Sequence, residues 1–393
     1  MRTESCLTRI ASVLALLLAV GAEPAESQRV SCGTRTTAPC SAPRFTFVTV
    51  SAGHGHSCGV THEGAAYCWG DGREGALGDG RAEIERLPQR VQGSTRFVDI
   101  GAGGDFSCAR SVDNGLWCWG KSQAVPGWPH VQPAPVRVPH EGEVRALTVG
   151  RRHACTLDAE GRARCWGFNV DGETGTGTGG VEASMIATPT PVATDRRFAT
   201  LSAGMGFTCG VTTDGEVFCW GSNIDWVLGP EAPERCGDVT PIPCATRPVR
   251  IAMPERATQV SSGTGHACAV TVGGTVYCWG TNGAGQSGAY KAALPIVRSP
   301  TAVTVPWSGP FVSVSAGGIL TCAMANSRKV YCWGADQLSL GERILPESVE
   351  PRTAVAGMQF RMISTGLIHA CGVDTRGRVQ CWGDTIKGAF GVR

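Results

Sequence analysis

The segment GHGHSCGVTHEGAAYCWG, residues 53–70, holds two cysteines ten positions apart, and the same frame returns six more times along the chain. The pairs are Cys58 with Cys68, Cys108 with Cys118, Cys155 with Cys165, Cys209 with Cys219, Cys268 with Cys278, Cys322 with Cys332 and Cys371 with Cys381. In each, the second cysteine opens Cys-Trp-Gly, and a glycine stands five residues before the first: Gly53, Gly103, Gly150, Gly204, Gly263, Gly317 and Gly366. Three residues ahead of each glycine is an aliphatic side chain (Val50, Ile100, Leu147, Leu201, Val260, Val314, Ile363). A further three back lies Phe47, Phe97, Val144, Phe198, Ala257, Phe311 or Phe360. The period of 47 to 59 residues is that of propeller blades and solenoid units.

Between the paired cysteines sits a turn signal, as at Asn114-Gly115, Glu160-Gly161, Asp214-Gly215 and Gly273-Gly274, so each gap reads as a β-hairpin. Residues flanking such a turn face each other with Cα atoms about 4.5–5.5 Å apart, within disulfide reach. Zinc thiolates usually come in closer Cys-x2–4-Cys knuckles, so the spacing predicts seven disulfides inside the repeats. In the loop-entropy model each contributes roughly 2.5–3 kcal/mol. Two further pairs, Cys32 with Cys40 and Cys236 with Cys244, lack the Cys-Trp-Gly frame and are expected to clip loops outside it.

Most units add a Pro-x-x-Val segment downstream (Pro88 to Val91, Pro189 to Val192, Pro300 to Val303, and Pro351 to Val355 with one extra residue). With the Phe-x-x-Val segment, the cysteine strand and the Cys-Trp-Gly strand, this makes four short strands per unit. Seven such units predict an all-β, seven-bladed β-propeller of four-stranded blades with intra-blade disulfides; a solenoid would need capped ends. Repeats are expected from about residues 45, 95, 142, 196, 255, 309 and 358. Only ten residues follow Gly383, whereas Pro39-x-x-Ala42 stands before Phe47 with the spacing of an outer strand. The propeller is therefore expected over residues 36–393, closed by a strand near 36–42 that completes the last blade.

Composition narrows the setting. The 393 residues include 54 Gly and 19 Cys but only 17% charged residues, which excludes a disordered polyelectrolyte. Thirty-five Lys+Arg against 33 Asp+Glu leave a charge of +2 and predict no nucleic-acid partner. So many cysteines suit an oxidising compartment. Arg2 and Arg9 precede an apolar run from Ile10 to Ala22, followed by EPAESQR, the pattern of a signal peptide over residues 1–22 with a linker over 23–35. As a helix that run would span about 20 Å, short of a bilayer core of about 30 Å. Cys6 precedes the run and Cys32 lies well beyond it, so no lipid-anchor cysteine is in place. The expected mature protein is a monomer that is secreted, periplasmic or at the cell surface, with no transmembrane segment.

The pattern Gly-x-x-His-x-Cys-Gly-Val...Gly-x-x-Tyr-Cys-Trp-Gly-x-Asn-x-x-Gly-Gln, seen over Gly53 to Gly75 and Gly263 to Gln286, resembles the repeat of the regulator of chromosome condensation family. The resemblance covers residues 42 to 393 and implies a seven-bladed propeller. It implies no single function, because propellers of this kind serve as an exchange factor for the small GTPase Ran, a plant UV-B photoreceptor and secreted bacterial β-lactamase inhibitors. The cysteine pairs depart from the nuclear members and resemble secreted variants.

Few residues suggest chemistry. Four units place His56, His153, His266 and His369 two residues before the first cysteine, where the others have Phe106, Phe207 and Leu320. A slot that accepts Phe and Leu predicts packing and local hydrogen bonding in preference to a metal ring. The tryptophans of Cys-Trp-Gly predict blade packing in preference to a ligand cage. The photoreceptor reading needs clustered tryptophans in the Gly-x-x-His segment, which are missing. Asp71-Gly72, Asp79-Gly80 and Asp171-Gly172 lack the alternating acids of a calcium loop and read as turns. No nucleophile elbow, P-loop or zinc-protease helix occurs. No catalytic residue, metal or cofactor is expected.

Unit lengths vary almost entirely after Cys-Trp-Gly, so one rim collects the insertions. The longest, from Ser222 to Arg247, contains Trp226, Cys236 and Cys244; unit two offers Trp128, and unit six departs from the pattern over Gln337 to Glu342. A tryptophan on a clipped loop is a protein-binding anchor, unless it folds back on its own blade. The sequence therefore points to an exported, non-catalytic scaffold for an extracellular or envelope protein, or for a glycan. The alternative is an extracellular polysaccharide-active enzyme using carboxylates on the rim, which would need two of them about 5–10 Å apart over a cleft. Guanine nucleotide exchange, which only the resemblance suggests, does not fit an exported chain.

Overall fold

Each repeat folds as an antiparallel meander. In the first, β1 (Phe47–Ala52), β2 (His56–Thr61), β3 (Ala66–Asp71) and β4 (Ile84–Arg90) pair in sequence order. The computed structural model describes residues 45–121, 130–230, 232–237, 241–288, 295–303, 309–334 and 351–383. Over these, seven sheets follow one another in a single compact unit. The expected all-β propeller with seven blades is the fold.

The cysteine frame explains the blade. Cys58 lies directly opposite Cys68 in the β2–β3 ladder and is bonded to it, with Cα atoms 4.1 Å apart. The other six blades repeat the bond, joining Cys108 to Cys118, Cys155 to Cys165, Cys209 to Cys219, Cys268 to Cys278, Cys322 to Cys332 and Cys371 to Cys381, with Cα atoms 4.0–4.1 Å apart. These separations fall slightly below the 4.5–5.5 Å expected from ladder geometry. Trp69 sits where the pairing of β3 with β4 shifts register between Cys68 and Gly70. The following glycine takes φ between +99° and +113° in every blade, from Gly280 to Gly334. L side chains rarely adopt that conformation, so Cys-Trp-Gly is a disulfide, a bulged core tryptophan and the backbone kink the bulge requires. Val91, Val192 and Val303, which end the Pro-x-x-Val segments, plug into the core at 4–6% exposure. Their prolines lie on outer strands, where no ladder donor is needed.

The core is a set of layers between blades. One joins Cys58, Val60, Cys68 and Leu77 of the first blade to Phe97, Ile100, Ala109 and Trp119 of the second, and the pattern recurs around the ring. First strands of adjacent blades line the centre. At six of the seven seams a hydroxyl on one inner strand accepts a backbone N–H from the next: Ser51 from Ala102, Thr148 from Ala203, Ser202 from Ser262, Ser261 from Ala316, Ser315 from Thr365 and Ser364 from Ala52, all at 2.8–3.0 Å. The seventh has Gly101, with no hydroxyl, and there the Val149 side chain closes the space. Last and first blades meet through the same devices, with Leu367 N–H donating to Gly53 O (3.1 Å) and Phe47 N–H to Gly377 O (2.8 Å). Ring closure among the described residues is thus made by inner strands.

The last sheet has three strands among the described residues. The signal peptide, linker and closing strand expected before residue 43 lie outside those residues, as do Trp128 and the expected loop clip of Cys32 with Cys40. The expectation for Cys236 with Cys244 needs amending. Cys244 belongs to the outer strand of blade four (Ile242–Ile251), where it pairs with Ser222, and Glu234–Cys236 adds a fifth strand to that sheet. Both cysteines are buried, so this bond staples an extra hairpin to the blade and does not clip a surface loop. No helix among the described residues is long and apolar enough to cross a membrane.

Candidate functional site

The links after Cys-Trp-Gly come to the surface beside the turns between first and second strands, as the Asp71 N–H to Gly55 O bond (2.8 Å) shows. Three of them share one construction. The Asn169, Asn223 and Asn282 side chains accept the backbone N–H of Thr174, Leu228 and Ser287, five residues on, at 2.8–3.1 Å. The links of blades one, four and five reach over the next blade, whose tryptophan indole donates to a link carbonyl: Trp119 to Ala76, Trp279 to Val227 and Trp333 to Gln286, at 2.8–3.0 Å. The seven tryptophans are buried, which is packing and no ligand cage.

The histidines are structural too. His56, His153, His266 and His369 hydrogen-bond through Nε2 to Ser107, Thr208, Thr321 and Ser57 of the following blade, at 2.7–2.9 Å. Ser107, Thr208 and Thr321 pass their own protons to the carbonyls of Ala76, Glu173 and Gln286. Where the slot holds Phe106, Phe207 or Leu320, the residue opposite is Ala154, Ala267 or Ala370. Burial holds the His153 and His266 imidazoles down at about 3, and burial with the nearby His369 does the same for His56. They are neutral throughout the physiological range.

One carboxyl on this rim is likewise absorbed. Glu173 occupies the link position of Gln286 and reproduces its bond: Oε2 accepts Asp171 N–H as Gln286 Oε1 accepts Ala284 N–H, both 2.9 Å. It is 1% exposed, and burial pushes its carboxyl up to about 8. The folded state thus keeps a proton that the unfolded chain releases above its ordinary pKa, so stability is lost as pH rises from about 4.5 towards 8. Glu173→Gln should nearly match the wild type at pH 5 and exceed it at pH 8 by about 2–4 kcal/mol, measured by denaturant unfolding. Equal stabilities at pH 8 would mean that the carboxyl ionises without cost.

Two hollows open on the same face. The central one, about 80 Å³, is lined by the repeat glycines with His54, Arg151, Met205, Thr264 and Leu367, and has no carboxylate. The other, about 600 Å³, lies on blade four between Ile224, Trp226, Pro230, Pro233, Arg235 and Pro243. Among the described residues its single carboxylate, Glu234, accepts Thr246 N–H at 2.9 Å. Glu234 also lies near Cys236 and Cys244, but their sulfurs are bonded to each other and offer no metal ligands.

Trp226 dominates the second hollow. In the corresponding links Gly75, Gly172 and Gly285 take φ of 75–78°, and Trp226 takes φ 61° in the same position. A bulky residue there is a genuine outlier. Its ring is half-buried and stacks under Arg298 of blade five, with the guanidinium carbon 4.1 Å from the centroid. It therefore does not stand free, but lies between the blade-four hollow and Arg298 of blade five. The length of this link singles out Trp226 in the sequence, and aligning SNIDWVLG with TNGAGQSG adds that the tryptophan stands in a glycine slot.

Comparison with known proteins agrees with this construction. Models described as the regulator of chromosome condensation (RCC1) repeat match residues 63–110 and 214–270, and 47–76, 97–124, 144–173, 198–225 and 257–286, together about half the chain. The secretion-regulating guanine nucleotide exchange factor of Bos taurus is 29% identical over 64% of this chain and 54% of its own length. The Arabidopsis thaliana ultraviolet-B receptor UVR8 is 26% identical over 89% and 80%. The chain spans about half the length of that exchange factor and of the mitochondrial protein RUG3 of Arabidopsis thaliana. Among solved structures, Prp20p of Saccharomyces cerevisiae, studied for its binding to Gsp1p and histones, superposes with a TM-score of 0.70 at 21% identity, covering 81% of this chain and 80% of its own. Human WBSCR16 gives 0.72 at 17% identity, over 84% and 90%. These structural likenesses are of fold. Seven blades, the repeated Cys-Trp-Gly bulge and the family matches lead to one conclusion: this chain belongs to the regulator of chromosome condensation (RCC1) repeat family.

Proposed function

We propose that this protein is an exported, non-catalytic binding scaffold that takes a protein partner on its loop-rich face, with the blade-four groove as the principal contact. Eight intrachain disulfides among the described residues suit an oxidising, extracellular setting. Propellers of this family bind proteins, Prp20p being a case. The observation that carries the reading is Trp226. A tryptophan held at positive φ where the repeat uses glycine is a local cost to folding, and an aromatic anchor beside three prolines and Arg235 is what a hot spot consists of. Among the described residues the central hollow is lined by no carboxylate and the groove by Glu234, already hydrogen-bonded, so neither offers the carboxylate pair that the enzyme alternative needs.

Trp226→Gly restores the repeat's own residue, so it should fold with equal or higher melting temperature. Affinity capture from envelope and culture-medium fractions should then yield a protein retained by the wild type and lost, by tenfold or more (about 1.4 kcal/mol), with Trp226→Gly. A partner held equally by both would move the contact away from the groove.

A further inference from the structure

The opposite face carries the hairpin turns between second and third strands, and their charge changes around the ring. The residue before the left-handed position is Glu63, Asp113, Glu160 and Asp214 in blades one to four, then Gly273, Ser327 and finally Arg376. The left-handed position itself holds Gly64, Asn114, Gly161, Gly215, Gly274 and Gly377, but Arg328 in blade six, at φ 64°. Glycine or asparagine is the ordinary choice there. An exposed arginine kept in a strained position is, among the described residues, the second such outlier after Trp226, and it lies on a different face.

The turns of blades six and seven form one continuous surface. Arg328 O accepts Phe360 N–H (2.9 Å), and Gln359 O accepts Thr375 N–H (3.2 Å). Arg361 donates to Asp374 O (3.2 Å) and Phe47 O (3.0 Å). Arg328, Lys329, Arg361, Arg376 and Arg378 are all exposed on it. Among the described residues the sole carboxylate they share is Asp374, which is 3% exposed, paired with Arg378 at 2.8 Å and occupied by the N–H groups of Arg376 and Arg378. Elsewhere on this face Arg162 is matched by Asp158 and Glu160, and Arg196 and Arg250 by Glu216, while Arg256 lies beside the acidic tip of Asp214. The chain's near-neutral total thus conceals a cationic sector beside acidic turn tips.

We propose that the turns of blades six and seven bind an acidic polysaccharide, with Arg328, Lys329 and Arg376 on its carboxylate or sulfate groups. Guanidinium forks suit both anions. The acidic tips of blades one to four repel the same polymer and confine it to this sector. The disulfides suit a setting where such polymers, and not nucleic acids, are the abundant polyanions.

Heparin is a suitable probe, with neutral dextran and a DNA duplex of similar charge as the other arms, each titrated against the full mature protein at about 0.15 M salt. Arg328→Gly with Lys329→Thr copies the blade-five turn Gly274-Thr275, and Arg376→Asp copies Asp214. Both variants should fold with unchanged or higher melting temperature. The expected result is heparin binding that weakens at least tenfold in each variant and steeply with salt, with no dextran binding and weaker DNA binding. Trp226→Gly should bind heparin as the wild type does, which separates this site from the groove. No heparin binding, equal binding by folded variants, or DNA binding tighter than heparin binding would overturn the proposal.

Discussion

Lowering the pH from 7 to 5 should cost the propeller roughly 3 kcal/mol of stability, and Thr208→Ala should unfold more easily than the double variant that adds His153→Phe to it. Both expectations come from the seam histidines. Because Thr208 gives its proton to Glu173 O, it can only accept from His153, so the neutral imidazole carries its hydrogen on Nε2. Protonation would add a second N–H at Nδ1, buried without a partner in His153 and His266. Folded His56, His153 and His266 titrate at about 3, below the unfolded value of 6.5, so the unfolded chain binds more protons between those limits. Stability is therefore lost as pH falls through that window, by about 1.4 kcal/mol per unit for each histidine once below 6.5, or about 2 kcal/mol each by pH 5. Glu173 works in the opposite sense, gaining about 2.5 kcal/mol over the same interval, and so offsets rather more than one of the three. Thr208→Ala leaves a buried Nε2–H without an acceptor, costing about 1–3 kcal/mol, whereas the double variant reproduces the seam of Phe207 with Ala267 and removes one histidine from the pH slope. Denaturant unfolding from pH 7 to pH 5 tests both; a flat profile, or additive single and double costs, would show that the imidazoles charge freely.

The seam rule is written in the sequence but not where a single repeat displays it. Reading one repeat at a time shows that the slot before the cysteine accepts His, Phe or Leu, and correctly predicts packing. It does not show that Ser107, Thr208, Thr321 and Ser57 appear only where the preceding blade has histidine, because the partners lie 51 to 55 residues apart or, at closure, 312. Fold and disulfides were readable because hairpin pairing is local and the cysteines are seven times repeated. The fifth strand of blade four was not, since spacing between Cys236 and Cys244 cannot distinguish a loop clip from a hairpin that adds to a sheet. The cationic sector was hidden for a different reason: a net charge of +2 averages acidic tips in four blades against basic tips in two. Placing the turns on one face undoes the averaging.

Gly204→Ala should destabilise the protein by about 3–5 kcal/mol, although one methyl is all it adds and the backbone of Gly204 is not in the left-handed region. The seven repeat glycines meet at the centre, each against a carbonyl of the next blade. A Cβ on Gly204 would lie 2.6 Å from Gly263 O and 3.0 Å from both Phe207 Cε1 and Ser262 Cβ. Backbone is the nearest obstacle, so no rotamer change relieves it. Blade five would have to move outward, breaking the Met205 N–H to Gly263 O bond of 3.1 Å. A closed ring cannot yield at one seam without opening others, which is why clearance matters more here than in an open sheet. Gly283→Ala is the matched control, because a Cβ there meets nothing within 4 Å and no positive φ is involved; it should be neutral or gain about 0.4–1 kcal/mol. Melting temperatures of the two variants within a degree or two of each other would mean that the blades can spread to admit a methyl, and that the glycines are retained for something other than closure.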